Sequence, residues 1–229
     1  MVWFVTGASS GLGLEMVRIL AARGDTVLAS GRRALAELPA DFPDCAYLPC
    51  DLADLAAVMQ LAEWVAGQGP LHAAVLSAGA GFYRPLAQET PDAMARVLAT
   101  NLNANITLAH ALHPVLSGGR LGLIGSVAHK GAAGMPVYAA SKAALDGFGR
   151  ALAEEWRGRT TVRVLHPGPV ATGMSARAGR NPDFADRLFL PPRQTAAALL
   201  SALGAPRGAD RQTVSFLRVG LHRLVKGAA

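Results

Sequence analysis

Cysteines, long apolar runs and charged residues are all scarce in this 229-residue sequence. Its two cysteines, Cys45 and Cys50, are too few for the disulfide framework of a small secreted fold or for a four-ligand zinc site, so we expect reduced thiols. No run of about 18 apolar residues is present, which argues against a membrane-spanning helix. No basic leader precedes the apolar run that starts at Val2, so we expect a cytoplasmic protein.

Charged residues make up 17% of the chain, whereas hydrophobic residues make up 51%. A parallel sheet that is covered on both faces produces such a composition. The formal net charge is +6, but the basic residues are scattered arginines without a lysine-rich run or interleaved aromatics. We therefore expect no nucleic-acid partner, and the positive charge is suited to attracting an anionic cofactor. His110 and His113 lack a third ligand nearby, so no bound metal is expected.

Short apolar runs alternate with longer segments of helical periodicity. The predicted strands are Val2–Thr6, Thr26–Ser30, Ala46–Pro49, Ala73–Ser77, Leu121–Gly125 and Val162–Leu165. The predicted helices are Leu12–Arg23, Leu52–Gln68, one that begins at Thr90-Pro91-Asp92, and Tyr138–Arg157. This alternation predicts an α/β fold, a Rossmann-type doubly wound parallel sheet, in a single domain that spans residues 1–229.

Two segments depart from this alternation. Residues 173–192 are interrupted by glycines and prolines, and we expect them to form a substrate loop over the carboxyl ends of the strands. In the basic tail, residues 207–229, Gln212–Leu217 is a candidate final strand. It is followed by apolar residues at helical spacing (Leu217, Leu221, Leu224 and Val225). Such a helix either packs on its own domain or lies against a membrane surface or a partner.

A glycine-rich turn directly follows the first predicted strand and precedes a helix. Residues 7–13 read GASSGLG, a G-x-x-x-G-x-G spacing. Glycines let a pyrophosphate approach the backbone, and free N–H groups at the helix start attract it. Many NAD-binding folds carry an acid about 20 residues further on, but Arg32 and Arg33 occupy that region here. If they are more than surface residues of a turn, a guanidinium favours NADP(H) over NAD(H), because it pairs with the 2′-phosphate.

Tyr138 and Lys142 are four residues apart on a predicted helix and therefore project from one face. Ser126 follows a predicted strand, where α/β folds place ligand-binding groups. Each residue alone also fits an ordinary surface helix or turn. Their combination with residues 6–13 (TGASSGLG), Asn101, 138–142 (YAASK) and 167–172 (PGPVAT) resembles the classical short-chain dehydrogenase/reductase (SDR) family over roughly residues 2–172, about three quarters of the chain.

The resemblance implies a catalytic role for four residues. Tyr138 would exchange a proton with the substrate oxygen, and Ser126 would hydrogen-bond that oxygen. Lys142 would bind the nicotinamide ribose and, with an oxidised nicotinamide ring, favour the phenolate of Tyr138. Asn101 would hold a water that links Lys142 to solvent. The expected activity is hydride transfer between NADP(H) and a carbonyl or alcohol, as in a carbonyl reductase.

The resemblance also implies a set of cofactor contacts. With the two arginines, they are Gly7, Ser9, Ser10, Gly11, Leu12, Gly13, Arg32, Arg33, Asp51, Leu52, Ser77, Ala78, Gly79, Tyr138, Lys142, Pro167, Gly168, Val170 and Thr172. Ser77 stands where the family usually has asparagine. The separation of 12 positions between Ser126 and Tyr138 is one residue shorter than the commonest arrangement. A homodimer or homotetramer is implied, with Ala139, Ala143, Leu145, Phe148 and Leu152 as a stripe compatible with that interface.

One alternative from another class remains open, an NADP(H)-binding sensor or scaffold with little turnover. The four catalytic candidates argue against it, since a pure binding module has little need for all of them. His129 lies between Ser126 and Tyr138, within reach of a substrate, and His166 precedes the Pro167-Gly168 turn. The substrate itself is not identified by the sequence, because the segments that would line the pocket suit many carbonyl compounds.

Overall fold

The predicted alternation of strands and helices is confirmed in the computed structural model, which describes residues 1–179, 189–205 and 213–214. The strands are β1 (Val2–Thr6), β2 (Thr26–Gly31), β3 (Ala46–Pro49), β4 (Ala73–Leu76), β5 (Arg120–Ile124), β6 (Thr161–Leu165) and β7 (Thr213–Val214). They form one parallel sheet in the order β3-β2-β1-β4-β5-β6-β7. The sheet is thus a doubly wound Rossmann-type sheet.

The helices are α1 (Gly11–Ala22), α2 (Leu55–Ala66), α3 (Pro91–Leu98), α4 (Ala104–Leu112), α5 (Pro136–Glu155), α6 (Met174–Arg177) and α7 (Pro192–Gly204). Thr90 accepts a hydrogen bond from Ala93 N at 3.2 Å and caps α3, with Pro91 at the first helical position, as predicted. Helix α2 begins three residues later than predicted because the Asp54 carboxylate accepts from Ala56 N and caps the helix there.

Alternate strand residues separate the core into two layers. Phe4 of β1 points to the layer formed with α2, α4 and α5, whereas Val5 points to the layer formed with α1 and α7. Both side chains are fully buried. The sheet is therefore covered on both faces, which accounts for the high proportion of hydrophobic residues.

Strand β1 lies between β2 and β4, so the strand order changes direction at β1: β2 and β3 lie on one side of it, and β4 to β7 lie on the other. A crevice opens at the carboxyl ends of two such neighbouring strands, where the connections diverge. The glycine-rich turn after β1 and the loop after β4 both lie at this edge. Ser77, predicted as the last residue of β4, is instead the first residue of that loop.

The substrate loop and the tail are described only in part. Helix α6 and a bridge between Val170 and Leu190 belong to the loop region. In the tail, β7 pairs in parallel with β6, in agreement with the predicted final strand. The predicted amphipathic segment, with Leu217, Leu221, Leu224 and Val225, lies outside the described residues. Of the helices in the described ranges, none has the length and apolar character needed to cross a bilayer.

Candidate active site

The glycine-rich turn has a backbone that only glycine tolerates well. Gly7 and Gly11 have φ angles of +70° and +59°. A Cβ atom on Gly13 would lie 2.3 Å from the carbonyl oxygen of Gly7, and one on Gly7 would lie 2.8 Å from the Cα of Ala78. Helix α1 starts at Gly11 after an extended Ser10. The turn therefore brings β1, α1 and the loop after β4 together, with the N-terminus of α1 open to an anion.

The two predicted phosphate-binding arginines lie beside this turn. Arg32 and Arg33 are both exposed, and Arg33 donates to the carbonyl oxygen of Ser9 at 3.3 Å. A third arginine, Arg177 of α6, is close enough that their charges add to the effect of burial in lowering its pKa. Sequence reasoning missed Arg177 because it lies in the irregular loop region, more than a hundred residues away along the chain.

Tyr138 and Lys142 project from one face of α5 toward the carboxyl end of β5. Lys142 is buried, and its Nζ donates to the carbonyl oxygen of Ile124, the last residue of β5, at 2.7 Å. Burial lowers the pKa of this ammonium to about 8. The Nζ atom lies 5.7 Å from the centroid of the Tyr138 ring. The predicted pair is therefore brought together inside the protein.

Tyr138 does not show the lowered pKa that sequence reasoning expected. Burial raises the pKa of its phenol, and a hydrogen bond with Ser126 opposes that effect without reversing it. In the protein alone the Lys142 ammonium is directed to the Ile124 carbonyl rather than to the phenol oxygen. The expected lowering also invoked the charge of an oxidised nicotinamide ring, which is a property of the complex with the cofactor.

Ser126 directly follows Gly125 at the end of β5 and caps a short 3₁₀ turn, Val127–Lys130. Its Oγ atom accepts from Ala128 N at 3.1 Å, and the residue itself has an extended backbone with φ −165° and ψ 153°. Ser126 also hydrogen-bonds Tyr138, so their two hydroxyl groups lie next to each other at the carboxyl edge of the sheet. The unusual spacing of 12 residues is accommodated without separating them.

Asn101 lies in a π-helical segment, Ala99–Asn103, that interrupts the predicted single helix between α3 and α4. Its buried side chain exchanges two hydrogen bonds of 2.8 Å with the backbone of Ala80 and donates to Ser141 Oγ at 2.9 Å. The backbone carbonyl oxygen of Asn101 accepts from Asn105 Nδ2 at 2.8 Å. The side chain thus ties the loop after β4 to α5. Sequence reasoning missed Asn105, which belongs to no motif, and it assigned no role to Ser141, although Ser141 lies within the 138–142 motif.

The other predicted contacts with the cofactor lie around the same edge of the sheet. Ala78 N donates to Thr6 Oγ1 at 3.1 Å, and a Cβ atom on Gly79 would lie 3.7 Å from Lys142 Nζ. A Cβ atom on Gly11 would lie 3.3 Å from the Cγ2 of Thr172. The carbonyl oxygen of Pro167 accepts from Val127 N at 3.1 Å, so residues 167–172 close one side of the crevice.

Two of the expected contacts have further partners in the protein. Asp51 pairs with Arg96 Nη2 at 2.6 Å and accepts from Ala53 N. Burial raises the pKa of Asp51, but the hydrogen bonds from Arg96 and Ala53 outweigh this effect and lower it overall. The Leu52 side chain packs in the core, which leaves only its backbone for a ligand.

The chain matches the protein-family model described as short chain dehydrogenase over residues 1–183. Carbonyl reductase family member 4 of Danio rerio is 33% identical over 88% of this chain and 90% of its own length. The cyclic-di-GMP-binding biofilm dispersal mediator protein of Escherichia coli K12 is 29% identical over 96% of this chain and 93% of its own length.

A solved structure extends these similarities from sequence to fold. The short chain dehydrogenase from Shigella flexneri 2a, crystallised with NADP, has a TM-score of 0.82 and 28% identity with this chain. The match covers 93% of this chain and 94% of that protein. The parallel sheet and its flanking helices are thus shared along nearly all of both chains.

Proposed function

The chain belongs to the short-chain dehydrogenase/reductase family of oxidoreductases, and we propose that it uses NADP(H) to interconvert a carbonyl group and an alcohol. The observation that carries this proposal is the meeting of Ser126, Tyr138 and Lys142 at the carboxyl edge of the sheet, beside the glycine-rich turn. A bound substrate oxygen there would face two hydroxyl groups and, behind them, a buried cation.

The residues of the crevice fit a dinucleotide. The close backbone approach at Gly7 and Gly13 leaves no room for side chains, and the start of α1 offers unpaired N–H groups to a pyrophosphate. Arg32, Arg33 and Arg177 place positive charge at one side of the turn, which favours a 2′-phosphate over a free 2′-hydroxyl. The relative from Shigella flexneri was solved with NADP, and this supports the same choice.

The chemistry of the protein groups follows from their positions. When bound, NADPH supplies the hydride that reduces the carbonyl carbon. The phenol of Tyr138 gives its proton to the carbonyl oxygen, and Ser126 Oγ donates a hydrogen bond to that oxygen while negative charge develops on it. Lys142 holds the ribose hydroxyls of the nucleotide and, by its charge, favours the phenolate that Tyr138 becomes. In the alcohol-oxidation direction each proton transfer is reversed.

The buried side chain of Asn101 holds the loop after β4 in place against α5. That loop includes Gly81, where a Cβ atom would lie 2.8 Å from the Tyr138 ring. Asn101 therefore keeps the backbone that borders the phenol at a fixed distance. We propose further that a water on the backbone carbonyl oxygen of Asn101, beside the donor Asn105 Nδ2, links Lys142 to solvent.

Replacement of Tyr138 by phenylalanine tests the proposal. The ring keeps its packing, but the proton is lost, so we expect turnover of NADPH with a carbonyl panel to fall by about 10²–10⁴-fold. Binding of NADPH, measured by its fluorescence, stays close to the wild-type value. Equal turnover in Tyr138→Phe and wild-type protein would refute the assigned role.

A nucleotide-binding sensor is a second candidate function, and one observation favours it. The relative from Escherichia coli that aligns over 96% of this chain is named for binding cyclic di-GMP and mediating biofilm dispersal. The experiment on Tyr138 separates the two candidates. A sensor would bind NADPH with little turnover in either form, whereas an enzyme would lose turnover in the variant.

The family membership also supports assembly into a homodimer or homotetramer in the cytoplasm, but three of the five residues of the predicted stripe are not available for an interface. Leu145 and Leu152 are buried in the core of their own chain, and so is Ala139. These three residues lie on the buried face of α5, whereas Ala143 is exposed and Phe148 is partly buried against the core. Exposed apolar side chains lie instead at Leu98 of α3 and Ile106 of α4, and sedimentation of Ile106→Glu against wild type tests their role.

A further inference from the structure

A buried histidine and a buried carboxylate lie directly behind Ser126. His166 follows β6, and its Nε2 atom lies 2.8 Å from Asp146 Oδ1 on α5. Its Nδ1 atom lies 3.2 Å from Ser126 N and 3.0 Å from Ser126 O. The second oxygen of Asp146 pairs with Arg150 at 2.9 Å. A continuous chain of polar contacts thus joins α5 to the peptide backbone of Ser126.

The partners of His166 determine its tautomer. A carboxylate paired with Arg150 only accepts, so Nε2 of His166 carries the proton and donates it to Asp146. Nδ1 then has a free lone pair and accepts from the N–H of Ser126. Because Ser126 is extended, its N–H and C=O lie on the same side, and this explains why both atoms are near Nδ1.

A second histidine, His129, contacts the backbone carbonyl oxygen of Ser126. His129 Nδ1 lies 2.7 Å from Ser126 O, to which it donates, and its ring stacks on His166 with centroids 4.0 Å apart. Gly125 makes room for this arrangement, since a Cβ atom there would lie 2.4 Å from His166 Nδ1. The N–H of Ser126 is therefore held by the His166 imidazole, and its C=O is held by His129 through both its imidazole and its backbone N–H, the latter at 3.1 Å.

The side chains of His129, Asp146 and His166 also have the composition of a metal site, with their ligand atoms within 4.8 Å of one another. The two rings are only 27° from parallel, however, so their in-plane lone pairs do not converge on one point. The Nδ1 atoms of both rings and Nε2 of His166 already contact protein groups. The arrangement is that of a hydrogen-bond chain rather than of a cation site.

We propose that Asp146, His166 and His129 are positioning residues that set the orientation of the Ser126 hydroxyl in carbonyl reduction, and that protonation of His166 switches this orientation off. The inference rests on the proposed function. Ser126 Oγ must point at a substrate oxygen, and its direction depends on the backbone of Ser126, whose N–H and C=O contact the two imidazoles.

Protonation of His166 changes this chain of hydrogen bonds at one atom, Nδ1. Burial lowers the pKa of His166 below its ordinary value of 6.5, and the charge of His129 adds to this effect, whereas the Asp146 carboxylate and the backbone of Ser126 oppose it. The titratable and charged side chains that face His166 are thus Asp146, with Arg150 behind it, and His129. A proton on Nδ1 removes the acceptor for Ser126 N–H and competes with His129 for Ser126 O. Activity should therefore fall on the acid side, at a pH below 6.5.

The test compares two carboxylate-to-amide changes on the same helix. Asp146→Asn removes the charge that holds His166, whereas Glu154→Gln alters an exposed carboxylate that is likewise paired with an arginine. For Asp146→Asn we expect kcat to fall about ten- to a hundredfold, as for loss of a charge-assisted hydrogen bond. NADPH affinity should stay at the wild-type value, and the acid limb of the kcat profile should move to lower pH. Glu154→Gln should match wild type in all three.

His166→Gln provides the second variant, because glutamine donates and accepts without titrating in this range. It should abolish the acid limb, and thermal unfolding should confirm that it folds. The proposal is overturned if the acid limb is unchanged in both variants, or if Asp146→Asn lowers only the unfolding temperature. Wild-type protein that reduces no carbonyl would instead overturn the proposed function. The imidazole ¹⁵N spectrum would then still show whether Nε2 of His166 is protonated.

Discussion

The burial of Lys142 makes a prediction that links stability to catalysis. Its pKa falls from an ordinary 10.5 to about 8 because its ammonium lies inside the protein. Each pKa unit corresponds to about 1.36 kcal/mol, so keeping this side chain charged at pH 7 costs the folded protein roughly 3 kcal/mol. Methionine has a similar length and no charge. Lys142→Met should therefore relieve that cost while it abolishes turnover.

The gain is smaller than the full cost, because the variant leaves the Ile124 carbonyl without its 2.7 Å partner. An unsatisfied buried acceptor costs about 1–3 kcal/mol. The net expectation is that Lys142→Met unfolds with a free energy about 1 kcal/mol higher than wild type at pH 7, a rise of roughly 2–4 °C in unfolding temperature for a chain of this size.

The stability of the wild-type protein should change with pH in a direction set by the lowered pKa of Lys142. The unfolded state, with the ordinary pKa of 10.5, binds more protons than the folded state between about pH 8 and 10.5, so wild-type stability rises with pH across that window. Lys142→Met lacks this rise. Urea unfolding at pH 7 and pH 10 should show the advantage of the variant disappear. Arg157→Met, which removes an exposed cation just beyond the end of the same helix, should stay within about 0.5 kcal/mol of wild type at pH 7. A pH-independent loss of stability in Lys142→Met would refute the reasoning.

Three further predictions concern the nucleotide site and its supports. Gly13→Ala brings a Cβ atom to 2.3 Å from Gly7 O. We therefore expect the free energy of unfolding to fall by about 1–3 kcal/mol and NADPH to bind more weakly. As a control, Gly147→Ala, in a helix with open space around this residue, should stabilise the protein by roughly 0.5–1 kcal/mol. Asp54→Ala removes the N-cap of α2 and should cost about 1 kcal/mol in urea unfolding, with an unchanged NADPH titration. Arg177→Ala should weaken NADPH binding about tenfold and spare NADH; equal losses for both nucleotides would contradict a 2′-phosphate contact.

The fold could be predicted because each strand is a short apolar run between turn residues. A parallel sheet that is buried on both faces is built from strands of this kind. Boundaries were less accurate where a side chain sets them. Asp54 rather than Leu52 fixes the start of α2, since its carboxylate accepts hydrogen bonds from the free N–H groups and a leucine side chain cannot. The π-helical turn at Asn101 carries no periodicity of its own. It appears only once Ala80 and Ser141 take up the Asn101 side chain.

The candidate site shows the same division. Ser126, Tyr138 and Lys142 stand in recognisable motifs, so their approach could be expected before the fold was known. His166 and Asp146 are 20 residues apart on different elements and belong to no local pattern; only the packing of α5 against β6 brings them to 2.8 Å. The position of Arg177 beside Arg33 likewise depends on how the chain returns after β6.

The most direct measurement is a fluorescence titration of the protein with NADPH and with NADH, alongside the Arg32→Ala variant. Our account predicts that NADPH binds at least about tenfold more tightly than NADH, as expected for a guanidinium–phosphate pair, and that Arg32→Ala removes most of the difference. If neither nucleotide binds to the wild-type protein, the proposed oxidoreductase activity is contradicted at its first step.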